Sequence, residues 1–317
     1  MVNLNVDLCG HMLKNPLILA AGILGLRGET LKRVASFGAG AVTTKSIGKT
    51  RNRGYRTPNI IEPYPGVVLN AMGLPNPGYI RFKKEILIAK EGGVPVIASV
   101  YGSNAKEFTV VSKAMENAGA DMVELNISCP HPKTPGRLIG QDATATFTVV
   151  KAVKETVGIP VIVKLTPNVT DIKEIATAAI EAGCDAINAI NTVKALYIDI
   201  DRKAPVLSNK VGGMSGWSIK PIAVRCVAEV AMLIRKLGKK IPIIGTGGVY
   251  TGRDVVEMMM AGATCVGIGT AVLHHGPEIF QKILKEFEDI LIKKGYDDVS
   301  EIIGCALKGI EECKLLG

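Results

Sequence analysis

The chain lacks the signatures of several common protein classes. Its seven cysteines, Cys9, Cys129, Cys184, Cys226, Cys265, Cys305 and Cys313, form no Cys-x-x-Cys pair. That argues against a zinc or iron–sulfur site held within this chain, and no metal site is expected. Scattered free thiols fit a reduced, cytoplasmic protein. Aromatic residues are scarce, at six Phe, seven Tyr and one Trp, and Lys and Arg gather in no basic tail. The formal charge of +9 therefore reads as a basic surface and not as a nucleic-acid face, with an anionic ligand or an acidic partner subunit left open. No basic stretch followed by an apolar core begins the sequence, so no secretory signal is expected. The longest run free of Asp, Glu, Lys and Arg, Met258–Pro277, contains Gly262, Gly267, Gly269, His274 and His275. It reads as a helix end, a buried strand and a turn, not as a membrane span.

Apolar residues make up 47% and charged residues 21% of the 317 positions, so the chain can bury a large core. This length suits two average domains or one large α/β domain. No linker rich in Pro, Gly or Ser divides it, and we expect one domain over residues 1–317. Short, unalternating apolar runs recur at Leu17–Ala20, Ala41–Thr44, Pro95–Ser99, Met122–Asn126, Pro160–Lys164, Ala186–Asn191, Ile241–Gly245 and Cys265–Gly269. Such runs suit parallel strands buried on both faces. Helical patterns lie between them, among them Asn104–Ala118, Asp142–Val157, Asp171–Ala182 and Ile219–Leu237, with capping residues at Ser103–Asn104 and Thr170–Asp171. Eight strand–helix alternations predict an α/β fold, a (β/α)8 TIM barrel. Val6–Leu13 reads as a small hairpin closing the barrel bottom. Two connections, Lys45 to about Gly78 after strand two and Thr192 to about Trp217 after strand six, are long enough to be functional loops.

The strand ends collect the chemistry. Strands seven and eight end in Gly245-Thr246-Gly247-Gly248 and Gly267-Ile268-Gly269-Thr270, at the usual phosphate site of such barrels. The spacing is not Gly-x-Gly-x-x-Gly, because Tyr250 and Val272 occupy the sixth positions, so a Rossmann reading fails. Cys129 has polar neighbours and can serve as nucleophile or base, whereas Cys184 and Cys265 sit in apolar runs and read as core. His131 could tune that thiol or touch substrate, while His11, His274 and His275 read as structural. Lys45 and Lys164 at strand ends could hold an anion, stabilise an electron-rich ring or form a Schiff base. Asn70, Asn126 and Asn191 offer amides that suit the alternating C=O and N–H edge of a pyrimidine.

At Asn126-Ile127-Ser128-Cys129-Pro130 the sequence resembles the class 1 dihydroorotate dehydrogenases, FMN-dependent barrels of pyrimidine synthesis. The resemblance extends in family order through Asn15-Pro16, Thr44-Lys45-Ser46, Asn70–Asn76, Val163–Asn168, Asn191-Thr192, Gly212–Gly216, Gly245–Val249 and Gly267–Ala271. The motifs are most similar to those of the NAD-linked two-subunit class (class 1B). There a homodimer of catalytic chains holds FMN and joins a separate electron-transfer subunit, carrying FAD and a 2Fe–2S cluster, in a heterotetramer. The resemblance implies that Cys129 is the base at C5 of dihydroorotate while hydride leaves C6 for FMN, with Lys45 close to both flavin and substrate. It implies that Asn70, Ala71, Met72, Gly73, Leu74, Asn126, His131, Asn191 and Thr192 hold dihydroorotate or orotate. Ala21, Lys45, Ser46, Ser99, Asn126, Lys164, Ile190 and Gly216 would line FMN, and Gly247, Gly248, Gly269 and Thr270 would bind its phosphate. The chain departs from the family pattern at His131 and Ser99, where Asn is common, and at Trp217, where Pro is common. Dihydropyrimidine dehydrogenases share Ser-Cys-Pro-His, which makes dihydrouracil an alternative substrate. A Schiff-base lyase or isomerase using Lys164 or Lys45, and a non-catalytic phosphate-binding barrel, are the rivals from other classes.

Overall fold

Eight short runs of buried, largely aliphatic residues become eight parallel strands: β1 (Leu17–Leu19), β2 (Ala41–Thr43), β3 (Val96–Val100), β4 (Met122–Asn126), β5 (Val161–Leu165), β6 (Ala186–Ala189), β7 (Ile243–Thr246) and β8 (Cys265–Ile268). They pair in chain order, and β8 returns to β1 through Val266↔Leu17, Gly267↔Ile18 and Ile268↔Leu19, closing the barrel. In this computed structural model, which describes residues 2–128 and 139–311, the expected (β/α)8 architecture is therefore present. Helices follow the strands outside the barrel. Their starts are fixed by side chains that accept otherwise unpaired N–H groups. Asn104 accepts from Glu107 N at 3.1 Å, Asp142 from Ala145 N at 2.9 Å and Asp171 from Lys173 N at 2.8 Å. Phe82, Phe108, Phe280 and Phe287 are fully buried in the helical layer. Burial of each contributes on the order of 2–3 kcal/mol. None of the described helices is long and apolar enough to cross a membrane.

The N-terminal hairpin pairs Val6–Leu8 with His11–Leu13 around a Cys9–Gly10 turn in which both residues have positive φ, 56° and 85°. Leu8 and Leu13 are buried, and the Cys9 thiol donates to Asp185 O, just before β6, at 3.4 Å. The hairpin thus sits at the amino-terminal end of the barrel, as expected.

The two long connections are not structureless. Val193–Leu196, Val211–Gly216, Val67–Asn70 and Ile60–Tyr64 form a four-stranded antiparallel sheet in that order, and Ile198–Asp199 pairs with Ala204–Pro205 beside it. One connection alone supplies only two strands, an arrangement of marginal stability in water. Together they make a sheet that roofs the carboxyl-terminal mouth, with Leu69, Ala71 and Leu207 as its own small core.

Candidate functional site

Beneath that roof lies a cavity of about 830 Å³. Its size falls in the range of small-molecule and cofactor sites. The wall is built from the ends of the strands, where the chain leaves hydrogen-bonded pairing and side chains turn toward the mouth. Ala21, Lys45, Ser46, Asn126, Lys164, Ile190, Asn191, Thr192, Gly247, Gly248, Gly269 and Thr270 line it from the barrel, and Asn70, Ala71, Met72, Gly73, Leu74 and Gly216 from the roof. Cys129 and His131 lie outside the described residues. Ser99 does not line the cavity. It is fully buried, with its hydroxyl 2.9 Å behind that of Ser46.

A polar network ties these residues into one frame. Asn126 donates from Nδ2 to Ser46 Oγ at 3.0 Å. Asn191 donates to Asn126 Oδ1 at 3.3 Å and to Ser128 Oγ at 3.0 Å. Thr192 donates its N–H to Asn191 Oδ1 at 2.8 Å, and Asn70 Nδ2 reaches Gly213 O at 3.3 Å. Gly213 must be glycine here: a Cβ would lie 2.1 Å from Thr192 Oγ1. The roof therefore presses directly on the end of β6.

Two lysines face this cavity and both are almost completely buried. Burial, and then the Lys164 charge, hold the Lys45 ammonium below the ordinary lysine range. Lys164 Nζ lies 3.9 Å from Glu124 Oε1, deeper in the barrel. The opposite side of the cavity offers backbone donors. Gly247 and Gly248 have positive φ, 136° and 74°, and neither donates its N–H to another described residue. A Cβ on Gly248 would stand 2.5 Å from Lys220 Cβ, so the loop approaches the next helix too closely for a side chain. Gly269 and the first turn of Thr270–His275 face the same space, and a Cβ on Gly269 would meet only Ala20 Cβ at 3.6 Å. The loop is anchored from outside the cavity. Asp254 Oδ2 accepts the N–H groups of Tyr250 and Thr251 at 3.0 and 2.9 Å, and Asp254 Oδ1 meets Lys220 Nζ at 2.7 Å. Burial alone would raise the Asp254 carboxyl, but these hydrogen bonds hold it below the usual range.

This cavity joins a cationic floor, amide side chains and a loop of free N–H donors, a set that fits a phosphorylated ring system. The other described cysteines contribute nothing to it. Burial pushes the thiols of Cys9 and Cys184 up to about 12 and that of Cys226 to about 11, so they stay protonated. Several wall residues carried no signal of their own in the sequence. Tyr55 and Tyr250 line the cavity, and Tyr250 belongs to a stack with Trp217 and His274, ring centroids 6.0 and 5.8 Å apart. Asn168 also lines it, bonding Thr192 O at 2.9 Å and Lys194 N at 2.8 Å. Its place in the Val163–Asn168 motif could have marked it.

Among known proteins, the family model described as Dihydroorotate dehydrogenase matches residues 3–291. The chain is 47% identical over 307 residues to a protein of Methanocaldococcus jannaschii named dihydroorotate dehydrogenase B (NAD(+)), catalytic subunit, covering 96% of this chain and 98% of that one. Proteins of the same name from Pyrococcus abyssi and Methanosarcina mazei are each 48% identical, over 305 and 301 residues. The first pairing spans 96% of this chain and 99% of the relative, the second 94% of each.

Proposed function

This chain belongs to the dihydroorotate dehydrogenase family, and from that premise we propose how its barrel mouth works: it oxidises dihydroorotate to orotate in pyrimidine synthesis, with FMN as resident cofactor. The observation that carries the reading is the single cavity in which the buried Lys164, the amides of Asn70, Asn126 and Asn191, and the free N–H groups of Gly247 and Gly248 meet. When bound, FMN supplies the acceptor for the hydride that leaves C6 of the substrate. Gly247, Gly248, Gly269 and Thr270 would hold its phosphate, and Ala21, Ser46, Ile190 and Gly216 would line its ring. Ser99, one layer behind, would fix Ser46 through their shared hydrogen bond.

Lys164 offers positive charge at the floor, where electron density increases on reduction. Asn70, Asn126, Asn191 and Thr192, with the 71–74 loop, would hold the pyrimidine edge and carboxylate, and Lys45 adds a cation beside them. We assign to Cys129 the proton at C5, with His131 next to it as a substrate contact. The two-electron balance then closes: C5 loses a proton, C6 loses a hydride, and a C5–C6 double bond forms. The relatives' printed name, a catalytic subunit of an NAD(+) type, supports a separate electron-transfer subunit carrying FAD and a 2Fe–2S cluster. Two catalytic chains and two such partners would make a heterotetramer in the cytoplasm.

Anaerobic addition of dihydroorotate to the purified, FMN-loaded chain tests this. Immediate bleaching of the flavin band is the expected result. A band that persists with dihydroorotate but bleaches with dihydrouracil would move the substrate to the dihydropyrimidines. Failure to take up FMN at all would overturn the flavin reading.

A further inference from the structure

A second layer of polar residues lies under the cavity, where barrel interiors are ordinarily filled by branched apolar side chains. Glu124 is only 1% exposed. One carboxylate oxygen, Oε2, accepts from Asn188 Nδ2 at 2.6 Å, and Asn188 Oδ1 in turn accepts from Thr246 Oγ1 at 2.8 Å. The other oxygen, Oε1, has no hydrogen-bond partner and faces Lys164 Nζ at 3.9 Å. Four successive strands, β4 to β7, thus each contribute one member of a chain that ends at the lysine. The register puts Lys164 opposite Asn126 and Glu124 opposite Ile162, so the carboxylate lies one interior layer deeper than the ammonium group. Thr246 Oγ1 occupies space left by Gly267, where a Cβ would be 2.2 Å away.

We propose that Glu124 is a positioning residue: its buried carboxylate, oriented by Asn188 and Thr246, is the counter-ion that holds the Lys164 ammonium group at the cavity floor, and through it sets how strongly the site favours a reduced, electron-rich flavin. The inference rests on the reading of Lys164 as a flavin residue. Burying a carboxylate is costly unless it is paired, and nothing in packing alone calls for one here. Among the described residues the charged groups that face Lys164 are Glu124 from β4 and Lys45 from the end of β2. Lys45 repels it. Glu124 is the one attraction, so its removal leaves two buried cations facing each other, and Lys164 surrenders its proton more readily.

The test compares the full-length wild type with Glu124→Gln and Glu124→Asp. In FMN-free protein, acetylation of Lys164 by acetic anhydride, read by peptide mass spectrometry against exposed lysines, reports the free amine. At pH 8 it should rise roughly tenfold or more in Glu124→Gln, one pKa unit being a tenfold change. Glu124→Asp, which keeps the charge, should react like the wild type. In FMN-loaded protein, the midpoint potential of Glu124→Gln should acquire a pH-dependent break and fall above it toward that of Lys164→Met. Should Glu124→Gln not fold, Asn188→Ala, which frees the carboxylate from its donor, should show the same changes in weaker form. Wild-type acetylation and a wild-type potential profile in Glu124→Gln would overturn the proposal. If acetylation rises while Lys164→Met leaves the potential unmoved, the coupling stands but its link to the flavin is overturned.

Discussion

Asn191 reaches across β5 to tie the end of β6 to the end of β4, donating one amide group to both Asn126 Oδ1 at 3.3 Å and Ser128 Oγ at 3.0 Å. Asn126 passes the connection on to Ser46. The amides proposed to hold substrate are thus already aligned by one another before any ligand arrives, which reduces the ordering that binding must supply.

Asn191→Ala should therefore weaken substrate binding more than flavin binding. Removing the donor of these two hydrogen bonds costs about 1–3 kcal/mol, so KM for dihydroorotate should rise by roughly ten- to a hundredfold. Stopped-flow reduction at varied dihydroorotate, with FMN content measured beside it, would check this. An unchanged KM would remove Asn191 from the substrate set.

Cys129→Ala should leave FMN bound while slowing flavin reduction by roughly 10²-fold or more, the usual effect of losing a positioned base. Cys129→Ser should retain partial activity that increases with pH, because a hydroxyl is the poorer base. Reduction of Cys129→Ala at the wild-type rate would sink the base assignment.

Gly248→Ala should damage the phosphate end specifically. Its φ of 74° suits glycine, and the added methyl would face Lys220 Cβ at 2.5 Å. We expect FMN affinity, followed by quenching of flavin fluorescence, to drop at least tenfold, with a stability loss of about 1–3 kcal/mol. Retention of wild-type affinity would show that the loop is not the phosphate cradle.

Lys45→Met should stabilise the FMN-free protein near neutral pH. The folded Lys45 gives up its proton more easily than the unfolded residue, through burial and then the Lys164 charge. Between its lowered folded value and the ordinary lysine range, the unfolded chain binds the extra proton, so wild-type stability increases with pH there. The variant's advantage in Tm, a few degrees at neutral pH, should shrink as pH approaches the ordinary lysine range. A difference that stays constant with pH would show that the ionisation of Lys45 is not its cause.

The barrel was legible because its signal is local. Runs such as Met122–Asn126 and Val161–Leu165 are apolar, short and bounded, and each strand needs only that to be buried on both faces. The roof was not. Ile60–Tyr64 contains Pro63 and is half exposed, and Val211–Gly216 is glycine-rich. Ile60–Tyr64 pairs with Val67–Asn70 close by in the chain, but that hairpin becomes part of a sheet only when Val211–Gly216, about 140 residues on, pairs with it. The wall residues came from motifs, and eighteen of them line one cavity. Ser99 is placed at the flavin by the resemblance alone, but its hydroxyl points to Ser46 and not into the cavity, an orientation that no sequence spacing encodes. Tyr250 and His274, which meet at 3.1 Å through their polar atoms, are joined only where the loop after β7 meets the short helix after β8.

The pairing of Val67–Asn70 with Val211–Gly216 has a consequence for how the molecule is made. The two strands leave the ribosome about 140 residues apart, and β3 to β6 are synthesised between them. Val67–Asn70 therefore has only Ile60–Tyr64 beside it until about 140 further residues have followed. A nascent or truncated chain that ends before residue 211 has part of the barrel but lacks the strand that joins the two halves of its roof. Competence to bind the pyrimidine is thus acquired late and all at once, and fragments released by stalled synthesis would not compete with the finished protein for its substrate.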